Sequence, residues 1–338
     1  MRLVVQVPAY NEAKTLPEVI RTIPRRIPGV DEVLVLVVDD GSTDETAAVA
    51  AAAGADYVLR HPVNRGLAAA FQTGIDFALR LGADIIVNTD ADNQYPQAEI
   101  PRLIEPILKR RADIVIGDRQ VGTNPNFRGL RRLLQRLGSR VVSSLSRLPV
   151  RDAPSGFRAY SREAALRLQV VSRYSYTLET LIQAGHHRLA VESVPILTNP
   201  PTRPSRLMRG LADYLVQSGL TLIRVYAMHE PLKVFGAAAA VLAAAGLAGI
   251  GRFLYFFAVG QGGGHIQSLV LSGVLLVIAF QVGLVGLAAD LIAANRRLLE
   301  EALFRLKILE LEKRPPEGEA LLWSAGRRPS TKDGQGDA

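Results

Sequence analysis

The chain has 338 residues, 48% of them hydrophobic, enough for one large domain with additional elements. It contains no cysteine, which excludes disulfides, thiolate metal sites and cysteine nucleophiles. Lysine and arginine number 40 against 32 acidic residues, and the net charge of +8 favours anionic partners: nucleotides, lipid phosphates, phospholipid head groups or nucleic acid. A mean hydropathy of +0.15 is high for a purely soluble protein, so the apolar excess should be concentrated in part of the chain. No basic segment with an apolar run precedes the first strand-like stretch, Leu3–Val7, so no cleavable signal peptide is expected.

The first third alternates two periods. Leu3–Val7, Val33–Asp39, Tyr57–Leu59, Ile85–Asp90 and Ile114–Gly117 are short β-branched or leucine runs. Between them lie helical patterns at about Thr15–Thr22, Ser42–Ala53, Gly66–Leu81 and Glu99–Arg110. Thr15 with Glu18 and Ser42 with Glu45 have capping-box spacing. This rhythm predicts a mostly parallel, Rossmann-like α/β sheet with helices on both faces. Ligands of such sheets bind beyond the carboxyl ends of the strands. The polar clusters Pro8–Glu12, Asp39–Thr43, Asp90–Gln94 and Asp118–Arg119 all follow strands, so they should meet at one edge.

Residues Gly122–Leu148 are basic and partly helical in pattern. A strand near Gly156–Tyr160, helices near Arg162–Leu168 and Thr177–Ala184, and a strand near Leu189–Pro195 follow. The proline-rich Asn199–Pro204 marks the end of a domain spanning 1–207. Over 208–231, Asp213, Gln217, Thr221 and Arg224 fall on one helical face and Leu211, Leu215, Leu222 and Tyr226 largely on another. That pattern fits an amphipathic helix at a membrane interface, or a surface helix packed on the domain.

Two apolar segments, about 232–259 and 267–291, each reach the roughly 20 residues that a membrane span needs. The short Gly260–Gly264 turn makes them a hairpin, and Arg252 could snorkel to the interface. Lys233 precedes the first segment, Arg296 and Arg297 follow the second, and the connecting loop has no basic residue. The positive-inside rule then places the N-terminal domain and both termini in the cytoplasm. Residues 295–313 read as a separate charged helix. Its Leu299, Ala302, Leu306 and Leu309 suit either self-association into a homo-oligomer or packing on the domain. The tail, 314–338, has the composition of a disordered segment.

The sharpest chemical feature is Asn88-Thr89-Asp90-Ala91-Asp92-Asn93-Gln94. Two carboxylates separated by one small residue can share a divalent cation, Mg²⁺ or Mn²⁺, with a diphosphate. Pro8-Ala9-Tyr10-Asn11-Glu12 and Val38-Asp39-Asp40-Gly41-Ser42 end the first two strands. There Tyr10 could stack on a base, and Glu12 and Asp40 could accept hydrogen bonds from base or ribose. A plain turn into a helix also accounts for Asp39–Ser42.

These three motifs, in this order and spacing, resemble family 2 glycosyltransferases of the GT-A fold. Within that family they are similar to the dolichol-phosphate mannosyltransferases and bacterial polyprenyl-phosphate glycosyltransferases. The resemblance covers about residues 3–207. Asp152-x-x-Ser155-Gly156-Phe157-Arg158 and Glu179 resemble later family segments, and the C-terminal hairpin is similar to that of the bacterial members. It implies that Pro8, Tyr10, Glu12, Asp39 and Asp40 hold the nucleoside, joined by Asp90. It implies that Asp90, Asp92 and Gln94 hold metal and diphosphate. It places Arg119 at the start of an acceptor loop. It sets Arg128, Arg131 and Arg132 toward phosphate, and Ser155 and Arg158 along the site. Arg203 and Arg206 resemble the family's closing basic motif, here compressed to Arg203-Pro204-Ser205-Arg206-Leu207.

The implied reaction moves a hexosyl group, mannose or glucose, from a GDP- or UDP-linked sugar to a polyprenyl phosphate, with inversion. A processive polysaccharide synthase is the nearest rival, but it carries Gln-x-x-Arg-Trp before its channel, and the only tryptophan here is Trp323 in the tail. A non-catalytic, membrane-anchored nucleotide-binding protein would leave the acidic set unexplained. Nucleic acid is not an expected partner, because the arginine runs lack interleaved aromatics.

Overall fold

The computed structural model describes residues 1–121, 129–170, 176–200, 219, 226–228, 230–260, 262–313 and 322–323. The chain divides into two compact units, one of residues 1–218 with 307–338 and one of residues 219–306. The amphipathic segment 208–231 and the tail 314–338 lie almost wholly outside the described residues.

The first unit is built on an eight-stranded sheet. Its strands are β1 (Arg2–Ala9), β2 (Glu32–Asp39), β3 (Tyr57–Arg60), β4 (Ile85–Asn88), β5 (Ile114–Asp118), β6 (Arg158–Ser161), β7 (Val191–Pro195) and β8 (Leu322–Trp323). Their spatial order is β7-β5-β6-β4-β1-β2-β3-β8. Strands β1 to β4 pair in parallel, as do β5 and β7, while β6 and β8 run antiparallel to their neighbours. The mostly parallel sheet expected from the sequence is therefore present. Because β6 runs backwards between β4 and β5, its first residue, Arg158, lies beside Asn88 and Ile116 at the carboxyl ends of those strands.

Alternation along each strand sends side chains to two cores. Leu3, Val5, Val7, Val35, Val37, Ile85 and Val87 pack on one face with Leu16, Val19 and Ile20 of α1 (Leu16–Thr22) and Ile100, Leu103 and Ile104 of α4 (Ile100–Leu108). Val4, Leu36, Val38 and Ile86 pack on the other with Phe71 and Ile75 of α3 (Leu67–Arg80). The remaining helices of this unit are α2 (Thr46–Ala52), α5 (Gly129–Ser146), α6 (Arg162–Arg167) and α7 (Tyr176–His186).

Both expected capping boxes are replaced by other hydrogen bonds of the strand-end loops. The Thr15 hydroxyl donates to Glu12 Oε2 (2.9 Å), and Pro17 in the first turn of α1 has no N–H to cap. Ser42 Oγ accepts from the Asn11 amide (2.9 Å), and α2 begins four residues later, where Asp44 Oδ1 accepts from the Thr46 amide (3.1 Å).

The second unit contains α8 (Pro231–Ala258) and most of α9 (Ile266–Lys313), joined by a short turn. Both helices are long and apolar enough to cross a membrane, with mean hydropathies of 2.0 and 2.4 over their most apolar windows. They pack through small residues. A side chain on Gly246 would meet Leu276, one on Gly249 would meet Ser272, and one on Gly286 would meet Phe235. The sequence divided 267–291 from 295–313, but α9 runs through both. No glycine or proline occurs between Leu287 and Lys313, and a change of polarity does not stop a helix. The last turns of α9 belong to the sheet unit. Lys307 Nζ donates to Asp76 Oδ1 (3.1 Å) and Gln169 Oε1 (3.0 Å), Arg80 pairs with Glu310 (3.1 Å), and Leu311 packs on the α3 core.

Candidate active site

Parallel pairing brings the carboxyl ends of β1 to β5 and the start of β6 to one edge, so Tyr10–Glu12, Asp39–Ser42, His61–Gly66, Asp90–Gln94, Arg119 and Ser155–Arg158 share it.

The loops after β1 and β2 lock together. Asn11, at a φ of 54° that asparagine tolerates, accepts at Oδ1 from the Thr43 amide (2.9 Å). The Glu12 amide donates to Thr46 Oγ1 (2.9 Å), which buries Glu12, while Tyr10 stays exposed. Pro8 is buried in the strand, its position fixed by pairing with Val38.

The two aspartates at the end of β2 have different surroundings. Asp40 accepts from the Arg65 amide (2.9 Å), the Gly66 amide (2.7 Å) and the His61 ring at Nδ1 (2.7 Å). The other ring nitrogen of His61 bonds Thr73 Oγ1 (3.0 Å). Asp40 is thus occupied in holding the loop between β3 and α3. Asp39 accepts at Oδ1 from the Ser42 amide (2.9 Å). Its Oδ2 is buried without a hydrogen bond among the described residues, and Arg60 Nε stands 3.4 Å away.

Asp90 and Asp92 lie in the turn after β4, both partly open to solvent. Asp92 accepts from the Gln94 amide (3.1 Å) and from Gln94 Nε2 (2.7 Å). Burial, then repulsion by Asp92, pushes the Asp90 carboxyl up to about 7, against the pull of Arg119 and Arg158. Burial also raises Asp92, opposed by its bonds to Gln94. Two crowded carboxylates that resist ionisation suit a divalent cation. Among the described residues no cluster of three or more histidine or acidic side chains forms a complete metal cage. Asp90 and Asp92 could therefore supply only part of the shell of a divalent cation.

The raised Asp90 has a consequence for stability. Native protein retains a proton there that unfolded chain releases near the ordinary carboxylate value, so stability declines as pH rises from that value to about 7 and levels off above it. With EDTA present, the melting temperature attributable to this group falls between about pH 4 and about pH 7. The Asp90→Asn variant shows a flatter profile in the same thermal scans.

A half-buried arginine and a fully buried one frame the acids. Arg119 grips Asp152 with Nε to Oδ2 (2.7 Å) and a terminal nitrogen to Oδ1 (2.8 Å), and its amide reaches Oδ2 (3.1 Å). Burial opposes the guanidinium charge, but Asp152, then Tyr95, more than offset that and raise it, keeping Arg119 charged. Arg158 is fully buried. It donates to Ser155 O (2.8 Å), Thr177 O (2.9 Å), Thr180 Oγ1 (2.9 Å) and Ala153 O (2.6 Å). It therefore pins the 153–155 loop to α7, and Ser155 is buried with it.

Arg131 and Arg132 fall in α5, where their side chains lie outside the described residues; Arg128, Arg203 and Arg206 lie outside them altogether. The sequence assigns no role to His61, Tyr95 and Tyr176, and gives Asn88 only as the start of the acidic motif. A buried strand ending in a polar residue, as β4 does at Asn88, was the available signal, since such a group must find a partner.

The model of glycosyl transferase family 2 matches residues 4–168. Polyprenol monophosphomannose synthase of Mycolicibacterium smegmatis is 32% identical over 206 residues, covering 58% of this chain and 76% of the relative. Undecaprenyl-phosphate mannosyltransferase of Micrococcus luteus is 31% identical over 206 residues, covering 58% of this chain and 83% of the relative. Among solved structures, glucosyl-3-phosphoglycerate synthase of Mycobacterium tuberculosis, in complex with Mn²⁺, UDP and glucosyl-3-phosphoglycerate, superposes with a TM-score of 0.51 at 27% identity, covering 67% of this chain and 78% of that one. The matched segment holds the strand-end loops and the acidic turn of the site, and the family match agrees with both relatives: the chain belongs to glycosyl transferase family 2 and is a glycosyltransferase.

Proposed function

We propose that this enzyme transfers a hexosyl group, mannose or glucose, from a nucleotide-sugar to a polyprenyl phosphate at the cytoplasmic face of a membrane. The observation that carries the reading is the crowded Asp90–Asp92 pair at the carboxyl edge of the sheet, in a chain with two helices of membrane-crossing length. Both sequence relatives are named for mannose transfer to a polyprenyl-type acceptor, and the structural relative was solved with a metal and UDP.

In this reading Tyr10, Pro8 and Glu12 line the nucleoside pocket, and Asp39 Oδ2, which has no hydrogen bond among the described residues and lies 3.4 Å from Arg60 Nε, accepts from base or ribose. Asp40 serves the same pocket by fixing the loop that carries Asn64 and Arg65. Asp90, Asp92 and Gln94 hold the diphosphate end of the donor through Mg²⁺ or Mn²⁺. When bound, the cation supplies charge neutralisation for the departing nucleoside diphosphate. Arg119, fixed by Asp152, adds positive potential beside the acids without leaving its partner.

The acceptor needs no strong base. A phosphate monoester has a second pKa of about 6 and is mostly dianionic at neutral pH. Its oxygen attacks the anomeric carbon, the bond to the donor diphosphate breaks, and a single displacement inverts the centre. Arg128, Arg131, Arg132, Arg203 and Arg206 are the proposed clamp for the acceptor phosphate, with Ser155 and Arg158 shaping the wall of the site. Domain 1–207 is then catalytic. Segment 208–231 lies at the interface, 232–259 and 267–291 cross the bilayer, and Lys233, Arg296 and Arg297 keep both termini cytoplasmic. Self-association would use the exposed Leu299, Leu306 and Leu309.

The test is a lipid-extraction assay. Purified protein in detergent is mixed with undecaprenyl phosphate, Mn²⁺ or Mg²⁺, and labelled GDP-mannose or UDP-glucose in turn. Label enters the organic phase with one donor and stays in water with EDTA. Label that stays in water with every donor, while folded protein still binds a nucleotide, overturns the lipid acceptor.

A further inference from the structure

Behind the acidic turn lies a hydrogen-bonded corner that touches no substrate in the reading above. Asn88, two residues before Asp90, is fully buried at the end of β4. Its Oδ1 accepts from Gln6 Nε2 (2.9 Å) on β1. Its Nδ2 donates to Gly156 O (2.9 Å) and to the Tyr176 hydroxyl (2.8 Å). That hydroxyl also donates to Gly156 O (3.3 Å). The Gly156 amide donates to the Tyr95 hydroxyl (3.2 Å).

The corner encloses one side of Asp90. A Cβ on Gly156 would lie 2.9 and 3.0 Å from the two carboxylate oxygens of Asp90 and 3.0 Å from the Tyr176 hydroxyl. The Asp90 carboxylate, the Gly156 backbone and the Tyr176 hydroxyl therefore converge on one point, which only glycine leaves open. Tyr176 itself is held independently: its ring stacks on Phe71 with centroids 4.0 Å apart and planes 6° apart.

We infer that Tyr176, acting through Asn88 and Gly156, is a positioning residue that sets the Asp90 carboxylate for cation binding. The inference rests on the reading of Asp90 and Asp92 as the cation site. The hydroxyl satisfies one hydrogen of the Asn88 amide and braces the Gly156 carbonyl. Without it, Asn88 keeps a buried N–H with no acceptor, and the 155–156 segment loses one of the two donors holding it against Asp90. Groups that orient ligands in this way typically change metal affinity by about 10- to 100-fold when removed.

The test is Tyr176→Phe, which keeps the ring on Phe71. Mn²⁺ binding is followed by electron paramagnetic resonance in the presence of UDP and of GDP, and nucleotide binding without metal is measured by calorimetry. The expected result is a rise in the Mn²⁺ dissociation constant of about tenfold, with metal-free nucleotide affinity unchanged. A Mn²⁺ affinity within about twofold of wild type overturns the inference and leaves the cation reading standing. An equal loss of metal-free nucleotide affinity overturns it in favour of a general structural role. If wild type binds no Mn²⁺ while Asp92→Asn behaves identically, the cation reading falls and the inference with it.

Discussion

Asp92→Asn lowers sugar transfer by about a thousandfold while leaving the fold intact. Asp92 is partly open to solvent, and its oxygens meet the amide and side chain of Gln94, so asparagine has room and a partner. The substitution removes one of two negative charges from the acidic turn. It also relieves the repulsion on Asp90, whose carboxyl then drops below about 7, so the variant is no less stable than wild type. Initial rates in the lipid-extraction assay, beside a thermal melt, check both halves. Near-wild-type turnover in a well-folded variant would remove the diphosphate-binding role from Asp92.

Arg119→Met has the largest effect on stability. Asp152 is fully buried and takes both side-chain bonds of Arg119, so removing the guanidinium strands a carboxylate in the interior. Breaking such a pair from one side costs about 3–5 kcal/mol, much more than an exposed pair is worth. The double variant Arg119→Met with Asp152→Leu recovers most of that loss, because the unpaired charge is gone and apolar groups fill the space. Activity does not recover, since the positive potential beside Asp90 and Asp92 is absent in both. Denaturant unfolding followed by circular dichroism, with transfer rates on the same preparations, separates the two. A double variant as unstable as the single one would show that Asp152 is not stranded.

The contrast between the two carboxylate neighbourhoods is a matter of dielectric and partners. Asp152 is paired and inaccessible, and its charge is spent on holding Arg119. Asp90 and Asp92 repel each other, Gln94 bonds Asp92, and the charges of Arg119 and Arg158 only partly offset the cost of burial. The same distinction separates Asp39, the last residue of β2, from Asp40, the next in the chain. Asp39 keeps a buried oxygen without a hydrogen bond beside Arg60, and Asp40 is consumed by His61, Arg65 and Gly66.

The sequence by itself determined the alternation of strands and helices, because periods of 2 and 3.6 in apolar residues are local properties of the chain. It located the acidic turn after β4 and the two apolar helices, since composition and length suffice for both. Tertiary structure alone decided which aspartate of Asp39–Asp40 keeps an oxygen without a hydrogen bond, because that depends on loops 25 residues apart in the chain. It decided that Ser42 serves the loop after β1 and not its own helix, since a hydroxyl bonds whichever partner packing brings closest. It joined Arg119 to Asp152 and Asn88 to Tyr176 across 33 and 88 residues. It also placed Gly156 where a methyl group would collide with Asp90. Spacing along a chain reports what a segment can form, whereas burial and hydrogen-bond supply, which fix the charge state and aim of each side chain, exist only once distant segments meet.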